Sequence, residues 1–258
     1  MTKVLNGKSA LVTGGGGGFG KASARLLLRD GAAVTLMGRS AETLDKARDI
    51  LLREIPEARI AVHPGDASSE VDIKRAIEVS VTHGHGIDIV VSTVGGGGGY
   101  GKIETATLDV LMNDYLVNVG SAILVIREAV PLMKPGSSFV FISSTAAKLS
   151  FVNLASYCAS KGALEQVSRV AANEYGAQGI RFNCVRPGLT HTDGMDSLFK
   201  TPGYVDSFLP FVPLGRTGIP NDIAEAVRFL AGPESSWLTG QSFAVDGGNE
   251  LRMAPMPL

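Results

Sequence analysis

Tyr157 and Lys161 stand four residues apart in the stretch SSTAAKLSFVNLASYCASK, with Ser144 upstream in the same stretch. On a helix, side chains at i and i+4 share a face, so the ammonium lies one turn beyond the phenol. A tyrosine hydroxyl titrates near ~10, too high to trade protons readily at neutral pH. A neighbouring cation favours the phenolate and lowers that value. A serine hydroxyl at the end of an adjoining strand would hold a carbonyl oxygen against the phenol. Together the three make a proton donor for reducing a ketone, or an acceptor for oxidising an alcohol. A Tyr-x-x-x-Lys pair on one helix face is common without any such role, so the reading depends on the elements that carry it.

Those elements are legible around the trio. Ser138–Ile142 (SFVFI) is rich in β-branched and aromatic residues and predicts a buried strand ending at Ser144. Ala155–Ala172 has apolar and small residues at helical spacing and no proline, which predicts a helix carrying Tyr157 and Lys161. The rest of the chain repeats the alternation. Strands are expected at Ser9–Thr13, Ala33–Met37, Arg59–His63, Ile87–Val94, Ile180–Val185 and Ser242–Val245. Helices are expected from Gly20 to Arg29, from Ala41 to about Ile55, from Ser69 to His83 and from Asn221 to Leu230. Thr107–Val119 and Ser121–Met133 read as two helices, or as one long element bent near Gly120. Almost wholly apolar strands alternating with helices imply a doubly wound parallel sheet covered on both faces, an α/β fold of Rossmann type. No second composition regime or linker appears, so residues 1–258 read as a single domain with a loop-rich insert at about 189–213.

With 258 residues, 45% hydrophobic and 19% charged, and a net charge of −1, the chain has the composition of a globular enzyme. Nothing in that balance supports an electrostatic hold on nucleic acid or on an anionic membrane. The start, MTKVLNGKSALVTG, has no apolar region before a cleavage site, and no uncharged run approaches membrane-spanning length, so a cytoplasmic protein is expected. Cys158 and Cys184 have no metal-type spacing and read as reduced thiols. The histidines His63, His83, His85 and His191 are scattered, so no metal site is expected. The terminal LRMAPMPL is apolar without periodicity and either covers a neighbouring subunit or stays unordered.

Glycine is the outlier: 32 residues, with runs at Gly14–Gly18 and Gly95–Gly99. A Gly-rich run usually marks a flexible linker. The first run instead joins a buried strand directly to a helix, where a dinucleotide fold brings its backbone against a pyrophosphate. Missing side chains allow the approach, and the helix N-terminus supplies free N–H groups and the positive end of a dipole. The spacing is Thr13-Gly14-x-x-x-Gly18-x-Gly20, which differs from the common G-x-G-x-x-G.

Thr-Gly-x-x-x-Gly-x-Gly at the first turn, joined to Ser144, Tyr157 and Lys161 in the arrangement Ser-x12-Tyr-x3-Lys, resembles the short-chain dehydrogenase/reductase family. The similarity runs from Lys8 to about Asn249 and includes Asn118 in LVNVGS, Pro187-Gly188 in VRPGLTHT and the closing TGQSFAVDGG. The resemblance implies a sheet of about seven strands ordered 3-2-1-4-5-6-7, an NAD(P) cofactor and a homodimer or homotetramer. It makes Tyr157 the acid/base, Lys161 the group that lowers the tyrosine pKa and holds the nicotinamide ribose, Ser144 the orienter of the carbonyl, and Asn118 the anchor of a water in the proton path. It assigns Gly14, Gly18, Phe19, Gly20 and Gly95 to the cofactor, Asp66 to the adenine, and Pro187, Gly188, Thr190 and Thr192 to its carboxamide and phosphate end. Two departures stand out. Ser92-Thr93-Val94-Gly95 replaces the family's Asn-Asn-Ala-Gly, and the Gly95–Gly99 run reads either as a mobile wall beside the nicotinamide or as a solvent loop.

The end of the second expected strand selects the cofactor. An NAD enzyme usually offers a carboxylate there to the adenosine ribose, and it would repel a 2′-phosphate. Here the acidic position is Gly38, followed by Arg39, a planar cation suited to phosphate, and Ser40, which adds a hydroxyl. NADP(H) is therefore favoured and NAD(H) is the alternative, although no Lys or Arg lies inside the Gly14–Gly18 loop. Enoyl reductases of the wider family normally space the tyrosine and lysine farther apart, so the x3 spacing and Ser144 point to C=O/CH–OH interconversion. Phe199, Tyr204, Phe208, Leu209, Phe211 and Val212 in the insert form an apolar lid, or else pack onto the core or a partner subunit. The lid points to a small hydrophobic carbonyl or alcohol, such as a 3-oxoacyl thioester or steroid-like ketone. The alternatives are an NAD-dependent alcohol dehydrogenase of the same family and a cofactor-binding regulator without turnover.

Overall fold

The computed structural model describes residues 3–97 and 99–252. Gly98 in the second glycine run and the tail from Met253 onward lie outside the described residues. Seven strands form one parallel sheet in the order β3-β2-β1-β4-β5-β6-β7: β1 Ser9–Thr13, β2 Ala33–Gly38, β3 Arg59–Pro64, β4 Ile89–Ser92, β5 Ser138–Ile142, β6 Arg181–Pro187 and β7 Ser242–Val245. The central strands β1, β4 and β5 are buried at every position, because helices cover both faces.

One face carries α1 (Gly18–Arg29), α2 (Ala41–Glu54) and α9 (Pro220–Ala231). Leu27, Leu44, Leu51, Ile223, Val227 and Leu230 pack there on Val12, Val34, Leu36, Val91, Val140 and Val185. The other face carries α3 (Glu70–Gly84), α4 (Leu108–Tyr115), α5 (Ser121–Ala129) and α6 (Ala155–Tyr175). Its centre is a stack of rings: Phe139 and Phe182 lie with centroids 4.5 Å apart, and Phe139 and Phe141 with centroids 5.9 Å apart. Each buried ring contributes ~1.5–3 kcal/mol of transfer free energy, so this stack fixes how β5, and Ser144 beyond it, meets β6.

The strand order reverses between β1 and β4, where both connecting loops turn away from the carboxyl edge of the sheet. An open α/β sheet binds its ligand in that crevice. Among the boundaries, α2 starts at the hydroxyl of Ser40, which accepts from Thr43 N at 3.2 Å, and α3 at Ser69, which accepts from Asp72 N at 3.4 Å. The expected bend near Gly120 is a π turn, Leu116–Gly120, inserted between α4 and α5 without breaking the helix. The whole unit, Leu108–Leu132, is 25 residues and holds an 18-residue window of mean hydropathy 1.4, long and apolar enough to span a membrane although no uncharged run in it is that long. Its inner residues are instead spent against α3 and α6: Val119, Ala122 and Val125 lie in the core.

Beyond β6, the insert folds into the short helices α7 (Asp196–Phe199) and α8 (Tyr204–Phe208), flanked by 3-10 turns. His191 N donates to Gly218 O at 3.0 Å and Gly218 N to Leu189 O at 2.9 Å, which closes the base of the insert.

Candidate active site

A cleft of about 440 Å³ opens at the reversal point, lined by the first glycine loop, the ends of β2 and β3, the start of the segment after β4, and Thr192 and Gly194 of the insert. Gly14 has φ +70°, and a Cβ there would lie 2.4 Å from Thr93 Oγ1. At Gly20 a Cβ would meet the Gly14 carbonyl at 2.2 Å. The loop is therefore glycine because strand and helix are pressed together, not because it is a linker. No side chain caps the first turn of α1, so its amide donors remain for an anionic ligand. Deep cradle, free N–H groups and length suit the residues present to a dinucleotide.

At one end of the cleft, Arg39 and Ser40 lie beside Asp66. Arg39 is exposed and makes no hydrogen bond or ion pair with a described residue. The Asp66 carboxylate accepts from Ser68 N at 2.8 Å and Ser68 Oγ at 2.6 Å, and these bonds hold it below the usual carboxylate range.

The other end is closed by Gly95. A Cβ there would lie 2.6 Å from Lys161 Nζ and 2.7 Å from Asn118 Oδ1, so the ammonium and the amide sit directly behind this residue. A Cβ at Gly97 would lie 3.1 Å from Tyr157 Cβ, and one at Gly99 2.3 Å from Val110 Cγ1. Gly95 and Gly97 thus lie against Lys161 and Tyr157, while Gly96 opens to free space and Gly99 meets Val110 of α4. Asn118 secures the run: Oδ1 accepts from Gly96 N at 3.1 Å, and Nδ2 donates to Gly96 O at 2.7 Å, Asp114 O at 2.9 Å and Ser160 Oγ at 3.1 Å. The π turn supplies this geometry, because its extra width lets Asn118 reach both Gly96 and α6.

Ser144, Tyr157 and Lys161 come together as the spacing implies. The Ser144 hydroxyl lies beside the Tyr157 phenol and favours its ionised form. Ser144 also accepts from Ala146 N at 3.1 Å, which fixes its rotamer. Lys161 is buried, donates to Ile142 O at 2.9 Å, and has its ammonium 5.8 Å from the centroid of the Tyr157 ring.

The electrostatics correct one expectation. In the protein alone, burial pushes the Tyr157 phenol up, and the Ser144 hydroxyl only partly opposes this. The same desolvation pulls Lys161 down to about 8. Desolvation, and not the neighbouring ammonium, sets the direction of the phenol's shift. The phenol therefore holds its proton through neutral pH in the protein alone.

Of the expected cofactor residues, Gly14, Gly18, Phe19, Arg39, Ser40, Asp66, Gly95 and Thr192 line the cleft. Pro187, Gly188 and Thr190 do not. Gly188 packs on Asp246, with a Cβ there falling 2.8 Å from Asp246 Cα, and the buried Thr190 hydroxyl donates to Gly188 O at 2.9 Å. Gly20, Asn118, Tyr157 and Lys161 also stay off the wall, as the supports described above. Thr43, Ser68, Thr93, Val94 and Val117 line the cleft without having been expected. Val117 was signalled only by its neighbour Asn118, and Ser68 by the PGDAS turn. Thr93 replaces the family amide: its Oγ1 donates to Thr13 O at 2.8 Å and ties β4 to β1.

The insert divides between the two roles expected for it. Tyr204 and Phe208 have ring centroids 5.3 Å apart, and Phe208 lies 6.4 Å from Phe151 in the segment before α6. Gly101 N donates to Asn153 O at 2.9 Å, which ties the glycine-rich segment to the segment before α6. Phe151, Tyr204 and Phe208 thus form an apolar collar. Val212 is buried instead against Gly247, and Phe211 O accepts from Asn249 Nδ2 at 3.2 Å, so this end of the insert packs on the core.

The chain is similar to known proteins along nearly its whole length. A family model described as enoyl-(acyl carrier protein) reductase matches residues 15–250. Glucose 1-dehydrogenase of Gluconobacter oxydans is 32% identical over 255 residues, 95% of this chain and 92% of its own. A short-chain type dehydrogenase/reductase from Mycobacterium ulcerans superposes with a TM-score of 0.93 at 31% identity, over 97% of this chain and 92% of that one. A short chain dehydrogenase from Burkholderia cenocepacia, solved in complex with NADP, superposes with a TM-score of 0.87 at 30% identity, over 95% of this chain and 99% of that one. With the glycine cradle, the reversal-point cleft and the Ser–Tyr–Lys trio in one fold, the chain belongs to the short-chain dehydrogenase/reductase family and is an NAD(P)-dependent oxidoreductase.

Proposed function

We propose that this enzyme reduces an apolar ketone to a secondary alcohol with NADPH. The observation that carries the reading is the grouping of Ser144, Tyr157 and Lys161 at the far end of the cleft, with Lys161 behind Gly95 and its ammonium 5.8 Å from the centroid of the Tyr157 ring. The cleft residues would hold the cofactor, which supplies the hydride. Ser144 orients the carbonyl oxygen, Tyr157 donates the proton to it, and Lys161 keeps a positive charge behind the phenol. The collar of Phe151, Tyr204 and Phe208 excludes water and favours a hydrophobic substrate over a sugar. Some support for NADPH comes from Arg39, exposed where an adenosine 2′-phosphate would emerge, and from the NADP-bound structural relative.

The enoyl reductase description of the matched family supports a second reading, reduction of a carbon–carbon double bond. A steady-state screen with both cofactors against apolar ketones, sugars and enoyl thioesters separates the two. Turnover confined to enoyl thioesters would sink the ketone reading. In the same assay, Arg39→Asp removes a charge-assisted contact of ~1.5–3 kcal/mol, so NADP-over-NAD preference should fall about ten- to a hundredfold. An unchanged ratio would show that Arg39 does not read the phosphate.

The assembly expected for the family, a homodimer or homotetramer, has a matching surface. Leu108, Leu111, Met112, Tyr115, Leu116 and Ile123 are exposed along α4 and α5 at helical spacing. A second copy of this chain covers them in the proposed assembly. Light scattering should give a multiple of 26.9 kDa for the wild type and a smaller species for Leu111→Arg with Leu116→Arg. A monomeric wild type would remove the assembly.

A further inference from the structure

The face of α6 that bears Tyr157 and Lys161 continues one turn farther to Glu165, a carboxylate that is 8% exposed. Its bonds go to the segment that holds the catalytic serine. Lys161 Nζ donates to the carbonyl of Ile142 at 2.9 Å, and Ser143 Oγ donates to Glu165 Oε1 at 2.8 Å. Two successive residues at the end of β5 are therefore gripped by two successive turns of α6, immediately before Ser144.

The carboxylate is not alone. Arg186 Nε on β6 lies 3.0 Å from Glu165 Oε1, and Arg186 Nη1 donates to both oxygens of Glu250 at 2.6 Å. Arg186 Nη2 donates to Ser242 O at 3.0 Å. Lys148 Nζ, four residues beyond Ser144, lies 3.0 Å from Glu250 Oε2. The charges thus run Glu165, Arg186, Glu250, Lys148 from one side of Ser144 to the other, and both ends of the 143–148 segment are pinned.

The groups facing the Lys161 ammonium can be enumerated by element. From α6 come Tyr157 and Glu165; from β6 comes Cys184; from β5 comes only the Ile142 carbonyl. Asp114 on α4 acts on Tyr157, next to Ser156, whose hydroxyl donates to it at 2.7 Å. Burial pushes the Cys184 thiol up to about 12, so it is neutral at physiological pH. Glu165 is then the carboxylate that supports the buried lysine charge from its own helix.

We propose that Glu165 is a positioning residue that serves the trio twice, clamping the strand end that presents Ser144 and supplying the counter-charge for Lys161, with Arg186 setting how much of that charge the lysine feels. The inference rests on the carbonyl-reduction reading for its use in turnover, but the charge arrangement is measurable without turnover.

The test is a pH titration of lysine side-chain NMR signals on ¹³C-labelled protein without cofactor, with Lys161 assigned by its loss in Lys161→Arg. In wild type the Lys161 midpoint is expected near 8. Glu165→Gln keeps the volume and the bond from Ser143 but removes the anion, so the midpoint should fall by about one unit or more. Arg186→Gln frees the anion to act on Lys161, so the midpoint should rise. A merely structural network would not move the two variants in opposite directions. Either midpoint staying at the wild-type value, or both moving the same way, overturns the proposal. If Glu165→Gln fails to fold, the rise in Arg186→Gln decides. The alkaline limb of ketone turnover should follow the same displacements. An inactive wild type with split midpoints would remove the reaction while leaving the clamp in place.

Discussion

Tyr157→Phe is expected to lower ketone turnover by about 10²–10⁴-fold, the range for loss of a positioned general acid, with cofactor affinity nearly unchanged. The substitution deletes one oxygen from a ring packed against Gly97 and leaves the fold intact. What disappears is the proton donor beside Ser144. The sign of the pH response follows from the environment of the trio. The phenol is raised by burial, so it stays protonated through neutral pH. Lys161 keeps its ammonium below about 8 and loses it above. Turnover that depends on that charge is present below this value and falls as pH rises through it. Steady-state rates of both proteins across this range, beside cofactor binding by fluorescence, check the prediction. A variant with wild-type rates would remove Tyr157 from the chemistry.

Gly95→Ala is expected to cost about 10²-fold in turnover, a large effect for one methyl group. The added carbon would fall 2.6 Å from Lys161 Nζ and 2.7 Å from Asn118 Oδ1, and neither can yield freely. The ammonium is tied to Ile142 O and the amide to both polar groups of Gly96. One of these bonds must give way, and a displacement of about 1 Å at a reacting centre is enough for a loss of this size. Gly96→Ala is the matched control, since nothing lies within 4 Å of a Cβ there. Equal losses in the two variants would mean that the run acts through backbone flexibility rather than close packing.

Both predictions rest on features that the sequence reveals unevenly. Ser9–Thr13 and Ser242–Val245 are legible as strands to the residue, because short apolar runs there are bounded by turn formers. Helix α1 starts two residues earlier than expected, since Gly18 already has helical geometry despite its low intrinsic preference. Strand β4, Ile89–Ser92, is shorter than the apolar run Ile87–Val94, although Asp88 N still donates to Ser9 O and Asp88 O still accepts from Ser138 N. Ser144, Tyr157 and Lys161 could be picked out because helix periodicity and motif spacing are local quantities.

What stayed hidden depends on distant partners. The π turn around Asn118 exists to reach Gly96 and Ser160, which no pattern inside LVNVGS announces. The direction of the Tyr157 shift depends on how deeply the fold buries the ring, because desolvation raises the phenol. Thr190 is buried with its hydroxyl donating to Gly188 O, a bond that the pattern VRPGLTHT does not announce. The Glu165–Arg186–Glu250 chain joins a helix, a strand and the C-terminal turn, so only the folded molecule shows it.

The central claim is that a phenol beside Ser144 delivers a proton to an oxygen while hydride reaches the carbon bearing it. Turnover of an apolar ketone with NADPH carrying deuterium at the transferable position tests this most directly. One deuterium on the new carbinol carbon, formed by wild type and lost with Tyr157→Phe, is the predicted result. Deuterium appearing only in reduced carbon–carbon double bonds, or an unchanged rate of labelling in the variant, would contradict it.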